Sequence, residues 1–142
     1  LEVSFSKPAT KVAPKRILVV DDEKHVCDAI RMLLEFDKHQ VVTTGNGLHA
    51  LELLAAGAFD VVFIDYLMPG MKGDELARKI KEIVPGQPVV MITAYAEVLQ
   101  SSRKPLPGVD FLVPKPFLLE NLRQAIAAAS GEHKAGSSAN PA

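Results

Sequence analysis

A doubly wound α/β fold, one parallel sheet covered by helices on both faces, is what this sequence predicts, on three observations. Short apolar runs alternate five times with stretches whose apolar residues recur at helical spacing. The runs are continuous rather than alternating in polarity, as strands buried on both faces require. At 142 residues, 48% apolar and 23% charged, the chain is long enough for one domain with a core that needs no staples.

The elements follow in order. "RILVV" (16–20) reads as the first strand, and Val26, Ile30, Leu33 and Leu34 stripe a helix over 23–36. "QVVTT" (40–44) is a β-branched strand closed by the turn signal "GNG", and Leu48, Leu51 and Leu54 mark a second, shorter helix. "DVVFI" (60–64) is the third strand. A third helix carries Leu76, Ile80, Ile83 and Val84 and ends before Pro85. "PVVMI" (88–92) is the fourth strand and "DFLV" (110–113) a weak fifth. Leu118, Leu122, Ala125, Ile126 and Ala129 line a closing helix. Residues 1–15 read as a linker or arm, 16–130 as the folded domain, and 131–142, small and polar, as a flexible tail.

Bulk properties narrow the function. A net charge of −1 offers no basic field for nucleic acid or an anionic membrane. No apolar run approaches the roughly 18 residues that span a bilayer, and no signal-peptide core is visible. The one cysteine, Cys27, fits a reducing, cytoplasmic setting and reads as a small buried hydrophobe.

Parallel sheets place their sites outside the carboxyl ends of the strands. There this sequence carries Asp21, Asp22 and Glu23 after strand one, Asp65 at strand three, Thr93 at strand four and Lys115 just past strand five. Helix capping alone accounts for one of the first three acids. It does not account for acids, a hydroxyl and an ammonium at corresponding strand ends. Converging carboxylates repel unless a cation compensates them, and hard oxygen donors suit Mg2+. A carboxylate at a strand tip can act as a nucleophile toward phosphorus, with metal and lysine spreading the charge of the transferring group.

"ILVVDDE", "VVFIDYLMPGMKG", "VVMITAY" and "PKPF", in this order, resemble the receiver domain of two-component response regulators over residues 16–129. The resemblance implies a flavodoxin-like (βα)5 fold of strand order 2-1-3-4-5 and phosphate taken from a histidine kinase or histidine phosphotransfer protein. It further implies a downstream effector or covalently attached domain as the receiver of the signal. Carried over, Asp65 is the phosphoacceptor. Asp21, Asp22, Asp65 and the backbone oxygen of Leu67 hold Mg2+. Thr93 and Lys115 bind the phosphoryl group, and Lys115–Pro116 is a candidate for cis geometry. Pro69 and Gly73 shape the loop after the nucleophile, and Glu23 is a first-turn helix acid.

The chain departs from the family twice. The family's switch aromatic sits three residues before the lysine, where this chain has Leu112; Phe111 stands one residue earlier, so Tyr95, Phe111 and Leu112 are the switch-region candidates, and either Phe111 is shifted into the role or the coupling to Thr93 is altered. Pro114 intervenes, so strand five is expected to bulge or end early. Pro105 and Pro107 limit a fourth helix to about 94–103, short or irregular. Leu67 and Tyr95, two residues past Asp65 and Thr93, form an apolar rim expected to slow water attack on an aspartyl phosphate. Rival readings are a phosphorylation-independent interaction module on the same fold and an aspartyl-nucleophile phosphohydrolase. The latter lacks its acid/base, since Leu67 stands where a second aspartate belongs. A nucleotide- or flavin-binding reading lacks a Gly-rich loop after strand one.

Overall fold

The computed structural model describes residues 12–95 and 106–131. Five parallel strands form one sheet in the order β2-β1-β3-β4-β5: β1 (Arg16–Val20), β2 (Gln40–Thr44), β3 (Val61–Asp65), β4 (Val89–Thr93) and β5 (Phe111–Pro114). The described helices are α1 (Lys24–Phe36), α2 (Gly47–Ala56), α3 (Gly73–Ile83) and the closing helix α4 (Leu119–Ser130). The expected helix over 94–103 falls mostly outside the described residues, as do most of the expected arm and tail.

Burial follows the sheet. Every residue of β3 and β4 is buried, whereas the edge strands β2 and β5 are only partly covered. Alternate side chains feed two cores. Ile17, Val19, Phe63, Val90 and Ile92 pack with Cys27, Ile30 and Leu34 of α1 and Leu122 and Ile126 of α4. Leu18, Val20, Val62 and Ile64 pack on the other face with Ala50 and Leu54 of α2 and Leu76, Ala77 and Ile80 of α3. The period-2 strand and the 3.6-residue helix thus meet on both faces.

Local chemistry sets the helix ends. Asn46 caps α2 by accepting the His49 amide at 3.0 Å. Asp74 and Glu75 in the first turn of α3 and Lys81 in its last complement the helix dipole. Gly131, in the left-handed region at φ 76°, closes α4.

Three expectations need correction. Leu48 does not face inward: it is 64% exposed, because a stripe through Ala50, Leu53 and Leu54 brings α2 onto the sheet instead. Leu118 precedes α4 and is also exposed, its amide donating to Asn121 Oδ1 at 2.6 Å. Strand β5 neither bulges nor stops before Pro114. It pairs with β4 in unbroken register from Val90 opposite Phe111 to Thr93 opposite Pro114, and the Lys115 amide donates to the Thr93 carbonyl at 2.9 Å. As an edge strand, β5 has no second neighbour awaiting the N–H that proline lacks.

Candidate functional site

The site is built by strand tips. Asp65 and Thr93 are the last residues of the two fully buried strands, so their side chains reach the carboxyl edge nearly sealed from solvent, 9% and 2% exposed. Asp21 lies one residue past β1 and remains tied to β2, its amide donating to the Thr44 carbonyl at 3.0 Å. Its carboxylate turns back to accept the Glu23 amide at 2.9 Å. The Cys27 thiol donates to the Asp21 carbonyl at 3.2 Å, a support for the acidic turn that composition alone did not reveal.

Lys115 enters from the end of β5. Its Nζ donates to Asp65 Oδ1 at 2.9 Å and lies 3.7 Å from Asp21 Oδ2. The Lys115–Pro116 peptide bond is cis. Carboxylate oxygens of Asp21, Asp22 and Asp65 all lie within 4.8 Å of one another. Asp22, Glu23, Asp65, Leu67, Thr93, Ala94, Tyr95 and Lys115 together line a cleft of about 250 Å³.

The loop after β3 is packed closely enough to dictate one residue type. A Cβ on Gly73 would meet the Asp65 carbonyl oxygen, and the Gly73 amide donates to the Tyr66 carbonyl at 2.9 Å. Only glycine lets α3 start there, and this closes the loop that carries Leu67 past the acids.

The electrostatics are unbalanced. Burial pushes the Asp65 carboxyl up; the Lys115 hydrogen bond pulls it down, but the charges of Asp22 and Glu23 add to the rise. Burial raises Asp21 as well, against the Glu23 amide and with the charge of Asp65. Burial alone would lower Lys115, yet its bond to Asp65 and the charges of Asp65, Asp21 and Glu23 outweigh that and hold it above its ordinary value. One ammonium thus faces three carboxylates and neutralises only part of their charge. A set of hard oxygen donors with surplus negative charge fits a small dication.

Of the residues expected here, Asp21, Asp22, Asp65, Leu67, Thr93, Tyr95 and Lys115 converge. Phe111 and Leu112 do not line the cleft. Beside it runs a groove of about 520 Å³, which sequence reading did not anticipate. His25, Val26 and Ala29 of α1 form one side, with Pro116 and Phe117 after β5, and it shares Glu23, Ala94 and Lys115 with the cleft.

A parallel α/β domain of strand order 2-1-3-4-5, with an acidic carboxyl edge and a lysine over it, has counterparts among known proteins. The model of the response regulator receiver domain matches residues 17–127, and the chain belongs to that family. The response regulator MprA of Mycobacterium sp. (strain KMS) is 36% identical over 109 residues, 77% of this chain and 47% of that protein. This chain therefore spans about half the length of the curated relatives it matches. A CheY-like receiver domain protein of Methanospirillum hungatei JF-1 superposes with a TM-score of 0.75 at 28% identity, over 86% of this chain and 98% of that one. TrrA of Thermotoga maritima, solved in complex with Mg(2+)-BeF, is 30% identical with a TM-score of 0.70, over 81% of this chain and 98% of its own.

Proposed function

We propose that this chain is a phosphoacceptor: Asp65 takes a phosphoryl group from a phosphohistidine of a histidine kinase or histidine phosphotransfer protein and so switches the domain between two states. The observation that carries the reading is the Asp65 carboxylate, buried at a strand tip, hydrogen-bonded to Lys115 and flanked by Asp21 and Asp22. A carboxylate oxygen of Asp65 attacks phosphorus, the O–P bond forms and the N–P bond breaks. The electron pair of that bond stays on the imidazole nitrogen, which leaves neutral when the other ring nitrogen carries a proton.

Asp21, Asp22, Asp65 and the Leu67 backbone oxygen would hold Mg2+. Bound there, the ion would offset the surplus acid charge and engage phosphoryl oxygens. The Mg(2+)-BeF complex of the Thermotoga relative supports this assignment. Lys115, already at Asp65, offers a cation to the transferring group, and the Thr93 hydroxyl offers a donor. Leu67 and Tyr95, each about half exposed on the cleft rim, limit water's approach to the product. The groove along α1 supplies apolar surface for the donor protein beside the cleft.

The work is signalling rather than metabolic turnover, in the cytoplasm, with no direct role for nucleic acid or membrane. Among the described residues no helix is long and apolar enough to cross a membrane. The chain passes its state to a downstream effector or an attached domain.

Intact-protein mass after incubation with acetyl phosphate and Mg2+ tests the reading. The expected result is a phosphate-sized gain in the wild type, lost with EDTA and absent from Asp65→Ala. An equal gain in Asp65→Ala would overturn the assignment.

A further inference from the structure

The two edges of the sheet are unlike. Strand β5 ends in Pro114, which offers a neighbour no N–H. Strand β2, "QVVTT", carries no proline, lysine or bulge to blunt it. The Gln40 amide donates to the Lys15 carbonyl at 2.9 Å, and the Thr44 carbonyl accepts the Asp21 amide at 3.0 Å. By the alternation of a parallel ladder, Gln40, Val42 and Thr44 therefore direct their backbone groups to β1. Val41 and Thr43 turn theirs outward, and among the described residues nothing meets them.

The surroundings of this open edge describe its occupant. Val41 joins the core under α1, and Thr43 Oγ1 accepts Arg31 of α1 at 3.1 Å. Arg31 Nε is buried without a hydrogen-bond partner. On the other face Val42 is only partly buried, against the core under α2 and α3. A strand that fits is polar and acidic on the α1 face and apolar on the α2 face.

The chain carries one such segment close by. "LEVSFS" (1–6) alternates strictly, with Leu1, Val3 and Phe5 against Glu2, Ser4 and Ser6. The root of that arm is fixed beside β2: Val12 packs on the core under α1 and α4, and the Lys15 amide donates to His39 Nδ1 at 2.9 Å. Residues 7–11 reach up to about 17 Å when extended. That exceeds the two strand spacings, about 10 Å, between β1 and a strand outside β2. The tail after Gly131, small and polar, has no matching alternation.

We propose that residues 1–6 form a sixth strand on the β2 edge of their own chain, antiparallel to β2, with Glu2 beside Thr43 and Ser4 beside Val41. Glu2 then faces Arg31, and Leu1, Val3 and Phe5 extend the apolar face of Val42. The closure of this edge is independent of the phosphoacceptor reading.

Amide exchange of the 15N-labelled full chain, followed by NMR, tests it, because the outward amides of Val41 and Thr43 report the occupant and those of Val42 and Thr44 report the sheet. Val41 and Thr43 are expected to exchange roughly 100-fold slower in the wild type than in Ser4→Pro, with Val42 and Thr44 protected in both. Glu2→Lys, which sets a cation beside Arg31, should weaken protection at the same two amides. Fast exchange of Val41 and Thr43 in the wild type, while Val42 and Thr44 stay protected, would overturn the proposal. Protection that persists in both variants would assign the edge to another segment and overturn it as well. Protection that falls away on dilution would give the edge to a second copy of the chain, against closure within one molecule.

Discussion

Asp65 with Lys115 and Asp37 with Arg123 are the same chemical pair in two settings. Both join residues far apart in sequence at hydrogen-bond distance: 2.9 Å in the first, 2.6 and 2.9 Å in the second. Their carboxylates are similarly enclosed, 11% and 18% exposed. Yet burial leaves Asp65 above the ordinary value of 3.8, whereas the paired hydrogen bonds of Arg123 hold Asp37 below it. Arg123 grips Asp37 with two N–H groups; Lys115 gives Asp65 one and shares its charge with Asp21. The pair at the end of α1 is satisfied and serves stability. The pair at the carboxyl edge keeps unspent negative charge, which is what a site for a small cation requires.

Substitution of the two aspartates should separate these roles most sharply. Asp65→Asn is expected to cut phosphate acceptance by roughly 1000-fold or more, with no loss of thermal stability in the absence of metal. Asp37→Asn should leave acceptance intact. A loss of acceptance in both, measured by intact mass, would break the distinction.

The two cations come next. Lys115→Met should slow acceptance by roughly 100-fold and cost about 3 kcal/mol at neutral pH, because it leaves buried charges uncompensated. Asp65 and Asp21 have folded values raised above 3.8, so the folded state binds more protons between 3.8 and those values. Stability of the metal-free site therefore rises as pH falls through the raised values. The deficit of Lys115→Met should shrink on acidification, followed by urea unfolding across pH.

On the cleft rim, Tyr95→Ala should shorten the life of the phosphorylated state by roughly 10-fold in a time course of intact mass, since it opens water's approach. An equal or longer life in the variant would remove the rim from the account. Arg123→Met is the smallest change: about 1 kcal/mol at neutral pH with acceptance unaltered. Here the sign is opposite. Asp37 has a lowered folded value, so its contribution is present above 3.8 and lost as pH falls through that lowered value. The variant and wild type should converge in acid, whereas a gap that persists there would assign Arg123 a packing role instead.

The sheet and its site were legible in the sequence because both depend on strand tips. A fully apolar run ending in Asp or Thr announces a buried strand and the residue it presents, and Asp65, Thr93 and Lys115 stand where that logic puts them. What stayed hidden depends on contacts without local pattern. Arg123 and Asp37 are 86 residues apart, and neither position differs in sequence from an ordinary surface charge. The pin of Lys81 to Asp110, at 2.8 Å, with Asp110 also accepting the Val89 amide, is equally silent. Leu48 misled because three leucines at near-helical spacing outweighed a small Ala50, although the alanine is what lets α2 approach the sheet. The face that Phe111 shares with Val90 was hidden as well, because position in sequence says nothing of face until the register with β4 is fixed.

Locating the phosphate is the most direct test of the central claim. The wild-type protein, loaded from acetyl phosphate with Mg2+, is reduced with borohydride, which converts an aspartyl phosphate to homoserine, and is then mapped by peptide mass spectrometry. The account predicts homoserine at position 65, with Asp21 and Asp22 unchanged. Homoserine at another aspartate, with Asp65 intact, would contradict it.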